Sequence, residues 1–183
     1  MSLRATTRKH LVTPLAAAAV LAVASVPPAR GDDLPVRRAG LWEVKTAVAG
    51  HPGGLTVRQC VDAATDRMML SVTGPLADTA CPRLEVARAG STVTVEAACT
   101  LGDRPATARA VITGSFENAY EMKVTAAGAA VPGGTVAMTV TGTWLGPCTA
   151  DQRPGDVVMP GGVKLNIVEM RRLLPSAGIP LPR

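Results

Sequence analysis

Aromatic side chains are nearly missing from this sequence. Trp42, Phe116, Tyr120 and Trp144 are the only ones in 183 residues. Single-stranded nucleic-acid sites rely on aromatic stacking platforms, so the shortage argues against that function. Histidine is scarce too, with two in the chain. His10 falls in the N-terminal segment, which leaves His51, in a Pro/Gly turn, as the imidazole for any acid–base chemistry. It reads as an exposed loop residue. A serine hydrolase needs nucleophile, base and orienting acid together, and no G-x-S-x-G elbow occurs. A glycosidase needs paired carboxylates across a cleft. Glu43, Glu85, Glu96, Glu117 and Glu121 fall instead on polar strand faces or turn edges, where solvation or pairing with Arg or Lys across strands is the expectation. Gly133-Gly134 and Gly161-Gly162 lack the strand–loop–helix context of a phosphate loop. The chain is therefore expected to be no enzyme and to carry no cofactor.

Charge is missing from most of the chain once its distribution is considered. There are 19 Lys+Arg and 14 Asp+Glu, a formal net charge of +5. Arg4, Arg8, Lys9 and Arg30 lie in the first 31 residues, which contain no acid. The remaining 152 residues carry 15 bases and 14 acids. A near-neutral domain is a poor ligand for a phosphate backbone, so no nucleic-acid partner is expected.

Those first residues have their own logic. Arg4, Arg8 and Lys9 form a basic start, Leu11 to Val26 is apolar, and Ala29-Arg30-Gly31 offers small residues for cleavage. This is the pattern of a secretory signal peptide over residues 1–31. The apolar stretch is 16 residues long with Pro14 inside it, short of the ~20 that a spanning helix needs. No later segment is long and apolar enough to span, so no membrane span is expected after cleavage. The expected location is the periplasm or outside the cell.

Four cysteines remain: Cys60, Cys81, Cys99 and Cys148. An even number in an exported chain reads as disulfides, with three possible pairings. No two lie within four residues, so there is no CxxC pair and no usual zinc spacing. One pairing follows from a hairpin. Leu84 and Val86 alternate before Ala89-Gly90-Ser91, and Val93, Val95 and Ala97 alternate after it. Folding about Gly90 places Cys81 opposite Cys99, within disulfide reach. Cys60 is left for Cys148.

Alternation also marks the other strands. Gly40–Val48 and Leu55–Val61 flank the Gly50–Gly54 turn as a hairpin. Asp62 is a candidate N-cap for a short helix, Ala63–Leu70. Strands follow at Ala106–Thr113, Tyr120–Ala126 and Thr135–Trp144. Gly74-Pro75, Gly102-Asp103, Ser115–Asn118 and Pro132-Gly133-Gly134 are breaks or turns. With the cysteine hairpin this makes about seven strands, expected as a curled antiparallel meander sheet or small barrel. Every connection reads as a local hairpin, which disfavours a two-sheet sandwich. Residues 38–148 form this domain, and 149–183 a Pro/Gly-rich extension. In the extension, Asn166 with Glu169 resembles a cap, Ile167, Met170, Arg171 and Leu174 share a helical face, Pro175 ends the helix, and Ser176 to Arg183 frays.

Several segments in this order carry a likeness. They are Ala-Gly-Leu-Trp-Glu-Val (39–44), Arg-Gln-Cys-Val (58–61), the Cys81/Cys99 hairpin and Gly-Thr-Trp-Leu-Gly-Pro-Cys (142–148). Together they resemble the exported bacterial domain-of-unknown-function family 3617, over about residues 38–170. The segment Arg153–Pro160 with Lys164–Ile167 resembles an extension found on some members. The resemblance implies a signal peptide and a mostly β domain, and no activity. Many members carry a Met/Pro-rich loop after the first strand; here it is His51-Pro-Gly-Gly54.

Two functional expectations follow. The stripe Trp42, Tyr120, Met122, Val136, Met138, Val140 and Trp144 could line a site for a small apolar ligand, since small barrels sometimes hold one. Alternatively the stripe fills the interior, and the extension, with Arg171 and Arg172 on its helix, docks an envelope protein.

Overall fold

The computed structural model describes residues 34–72, 81–101 and 103–173. The leader over 1–31, the Gly74-Pro75 break, Gly102, Leu174, Pro175 and the tail from Ser176 lie outside the described residues. The strands are β1 (Gly40–Val48), β2 (Gly54–Val61), β3 (Arg83–Ala89), β4 (Thr92–Leu101), β5 (Arg104–Ser115), β6 (Ala119–Gly128), β7 (Thr135–Gly146), β8 (Asp156–Val158) and β9 (Lys164–Asn166). The helices are α1 (Ala63–Val72) and α2 (Ile167–Leu173).

All nine strands join one antiparallel sheet in the order β3-β4-β5-β6-β7-β1-β2-β8-β9. The expected curled barrel is corrected to an open sheet with β3 and β9 as its two edges. The reason lies in one connection that is not a local hairpin. After β2, the chain passes through α1 and starts β3 at the far edge. The hairpins β3 to β7 then return strand by strand, and β7 docks on β1. Because β1 already holds β2 on its other side, β7 meets no free edge that would close a ring. The count rises from seven to nine because β8 pairs with β2, and β9 with β8.

Cys60–Cys148 and Cys81–Cys99 are both bonded, with Cα separations of 5.6 and 3.8 Å. The hairpin holding the second bridge is one residue off the expected register. Ala89 pairs with Thr92, so Gly90-Ser91 is a two-residue turn. Gly90 has φ +59° and no non-glycine residue among the described residues, Ser91 included, has positive φ, which is the signature of a type II′ hairpin turn. Arg83 pairs with Ala98, so Cys81 reaches Cys99 on a diagonal just beyond the paired strand. The first bridge ties β2 to the residues after β7, across the start of β1 that lies between them.

Side-chain alternation gives the sheet two unlike faces. On one, Trp42, Val44, Val57 and Val61 form the buried core, with Met69 of α1, Tyr120, Val140, Trp144, Val157 and Met159 packed against it. The core therefore sits at the β7-β1-β2-β8 end, on the side where α1 lies. Asp62 caps α1 as expected: its Oδ1 accepts the Thr65 N–H at 2.8 Å. Thr65 Oγ1 in turn accepts the Asp62 N–H at 2.9 Å, a reciprocal cap with Thr in the usual Glu place. Asn166 caps α2, with Oδ1 accepting from the Val168 and Glu169 N–H groups. Glu169 does not complete that cap; it pairs with Arg153 at 2.9 Å. The α2 face is also less buried than its periodicity suggests: no α2 residue is buried, and Met170 and Leu173 are exposed.

No helix among the described residues is long and apolar enough to cross a membrane.

Candidate functional site

The sequence-predicted stripe divides into two parts. Trp42 is fully buried, and Tyr120, Val140 and Trp144 pack against the core around it. Met122, Val136 and Met138 continue along the same face, half-buried. The first group is thus occupied by protein. All four aromatic residues of the sequence gather there: Trp42 lies 5.8 Å from Tyr120, Phe116 stacks on Tyr120 at 5.1 Å, and Trp42 pairs across strands with Trp144.

Two arginines ahead of β1 complete this cluster. The Arg37 guanidinium lies 5.7 Å from the Trp42 ring and donates from Nε to Asp66 Oδ1 at 2.7 Å. Its backbone N–H donates to Asp66 Oδ2 at 2.7 Å, and Nη2 reaches Met69 Sδ at 3.6 Å. Both partners of this ion pair are buried. Burial pushes the Tyr120 hydroxyl above its ordinary pKa, with the Arg37 charge acting the other way. Arg38 lies 3.9 Å over the Trp144 ring. Indole N–H groups find backbone acceptors: Trp42 donates to Arg38 O, and Trp144 to Ala39 O. No buried side-chain nitrogen or oxygen among the described residues lacks a hydrogen-bond partner, so the cluster reads as a staple holding residues 37–39 and α1 to the sheet.

The concave site lies on the opposite face. A groove of about 950 Å³ crosses the outer half of the sheet. Strand register explains its floor. One cross-strand row reads Arg83, Ala98, Thr107, Ala127, Thr135 from β3 to β7. The next reads Glu85, Glu96, Arg109, Thr125, Ala137. Both rows belong entirely to the groove wall, with Ala49, His51 and Pro132 from the turns at one end. The next row reads Ala87, Thr94, Val111, Lys123, Thr139 and lies outside it. Over β6–β7 the two rows carry only Ala and Thr, while long Arg and Glu side chains border the β3–β5 half; the resulting trough runs perpendicular to the strands. Four interstrand steps of about 4.8 Å make it about 19 Å long.

Its electrostatics are uneven. Arg83 Nη2 meets Glu85 Oε1 at 2.7 Å, and Arg109 Nη1 donates to Glu96 Oε1 at 2.5 Å. The Glu96–Arg109 pair crosses strands as expected; Glu85 finds its partner along its own strand. The β6–β7 end presents Thr125, Ala127, Thr135 and Ala137. His51 sits at that end with Nδ1 3.3 Å from Ala49 O. Among the described residues no group of three or more His, Cys, Asp or Glu could hold a metal.

The apolar alternation pointed to the other face and left this site unread. Its signal was the alanines. Ala98, Ala127 and Ala137 occupy polar-face positions where a solvated strand ordinarily carries Lys, Glu or Thr. Arg37 with Asp66 had no local signal, being 29 residues apart.

Among curated proteins and solved structures nothing matches this chain. A family model described as a protein of unknown function, DUF3617, matches residues 37–148, the span from Arg37 through β7 to the second cysteine of the Cys60–Cys148 bridge. The two disulfides suit an oxidising, extracytoplasmic compartment. The match spans more than half of the chain, and the protein belongs to the DUF3617 family.

Proposed function

We propose that this protein is an exported, non-catalytic binding domain that holds a small, largely apolar molecule in the groove across β3–β7. The observation that carries the reading is the alanine-rich floor. A volume of about 950 Å³ falls within the range of small-molecule sites. Such sites combine an apolar lining with a few placed polar groups, and this wall has Ala49, Ala98, Ala127, Ala137 and Pro132 beside Arg83, Glu85, Glu96 and Arg109. Of the stripe expected to line a ligand, only Val136 borders this groove, and strand alternation puts its side chain on the opposite face. The ligand-binding role is retained and moves to the other face. Residues 1–31 serve as the export leader in this reading, which the disulfides support.

The groove's own groups support a non-catalytic role. His51 bonds a backbone carbonyl, and the carboxylates Glu85 and Glu96 are each engaged by an arginine. None is arranged as a base against a nucleophile.

Native mass spectrometry of the chain recovered from its own host tests the reading. A co-purifying small mass that is lost on unfolding is the expected result. A bare protein mass, together with no uptake of a neutral alkyl probe, contradicts it.

A further inference from the structure

We propose that the groove selects an amphipathic molecule with a zwitterionic head, lying across the strands with its head over β3–β5 and its apolar body over β6–β7. This deepens the proposed function and rests on it.

The two ends of the groove differ in kind. All four of its formal charges lie on β3, β4 and β5: Arg83, Glu85, Glu96 and Arg109. The β6–β7 end offers Thr125, Ala127, Thr135, Ala137, Ala49 and Pro132, with His51 its one titratable side chain. A molecule with one polar end and one apolar end matches that gradient in a single orientation.

The arrangement of signs names the head. The four charges sum to zero, so a head of one sign meets as much repulsion as attraction. Glu85 and Glu96 are directly opposed on adjacent strands, and like charges so placed repel. Each is held by one arginine through Oε1: Arg83 to Glu85 and Arg109 to Glu96. A ligand cation between the two carboxylates relieves their repulsion. It also loosens the claim of Glu96 on Arg109, whose guanidinium then accepts a ligand anion as partner. Cationic and anionic groups would therefore lie side by side across β3–β5, about one strand spacing of ~4.8 Å apart. All four side chains are more than half exposed, so the head confers selectivity more than affinity.

Isothermal titration calorimetry on the full chain decides this, using alkyl probes of equal chain length below their micelle concentrations. The heads are phosphocholine, sulfate, trimethylammonium and maltoside. The phosphocholine probe is expected to bind tightest, by about threefold over each of the others. Glu85→Gln/Glu96→Gln and Arg109→Gln should each bring it down to the level of the maltoside probe. Lys123→Gln, outside the groove, should preserve the preference. Urea midpoints unchanged from wild type establish that the variants fold. Equal binding of all heads overturns the zwitterion while leaving the groove intact as an apolar site. Preference for sulfate or trimethylammonium overturns it as well. If no probe binds, the groove reading itself falls, and this inference with it.

Discussion

Asp66 accepts two hydrogen bonds from Arg37, one from the backbone N–H and one from Nε, each 2.7 Å long. The contact joins the chain ahead of β1 to α1 beneath the only aromatic cluster of the sequence. Breaking one side strands a buried charge. Asp66→Ala should cost about 4 kcal/mol, and Arg37→Met a similar amount. The double variant Asp66→Ala/Arg37→Met should cost clearly less than the two losses summed, because no unpaired charge remains. Urea denaturation of the three variants measures this. Additive losses would show that the pair contributes through packing alone.

The cap of α1 predicts an acid-sensitive stability. The Thr65 N–H, followed by the Thr65 hydroxyl, holds the Asp62 carboxyl below its ordinary pKa, with burial opposing. A lowered folded-state pKa means that the contribution is fully present above the unfolded carboxylate value. It is lost as pH falls through the lower, folded value. Asp62→Ala should therefore cost about 1 kcal/mol at neutral pH. The gap to wild type should narrow as pH falls below the ordinary carboxylate range. Unfolding curves across an acid pH series check it.

The edge of the Tyr120 ring lies over Gly142 on the neighbouring strand. A Cβ added at Gly142 would sit 2.2 Å from Tyr120 Cε1. The glycine is required by a ring, since its backbone is ordinary strand. Gly142→Ala should cost about 2 kcal/mol by overpacking. In a Tyr120→Ala background the same change should cost much less. A double-mutant cycle by thermal unfolding tests this coupling.

Loop length ranks the two disulfides. Cys60–Cys148 closes 88 residues and Cys81–Cys99 closes 18. On the loop-entropy model the first contributes about 4.6 kcal/mol and the second about 3. Cys60→Ala/Cys148→Ala should thus lower the denaturation midpoint more than Cys81→Ala/Cys99→Ala. The longer bridge also anchors the end of β2 where Gly155 N–H donates to Cys60 O at 2.8 Å. Its loss should therefore increase amide exchange in β8 as well.

Local structure was legible where a pattern repeats. Alternation located β1 to β7, although in β3 and β4 it spans only Leu84–Val86 and Val93–Ala97, and Asp62 before a run of helix formers located α1. The cysteine pairing was legible because one hairpin brought two of the four together. The exact register slipped by one because a symmetric fold about Gly90 and a two-residue turn at Gly90-Ser91 differ by a single position. β8 and β9 were missed because three residues cannot display a period. The open sheet was missed because nothing local records that β3 starts at the far edge from β2. The groove was hidden for a different reason. Hydrophobic alternation reports which face is buried, whereas the trough arises from side-chain size on the other face.

The central claim, that the alanine-floored rows hold a ligand, is tested most directly by backbone amide shifts on titration with a neutral alkyl probe. Shifts should concentrate at Ala98, Thr107, Arg109, Thr125, Ala127 and Ala137, the groove positions on four adjacent strands. Shifts centred instead on Met122, Val124, Met138 and Val140, on the opposite face, or no shifts at all, would contradict it.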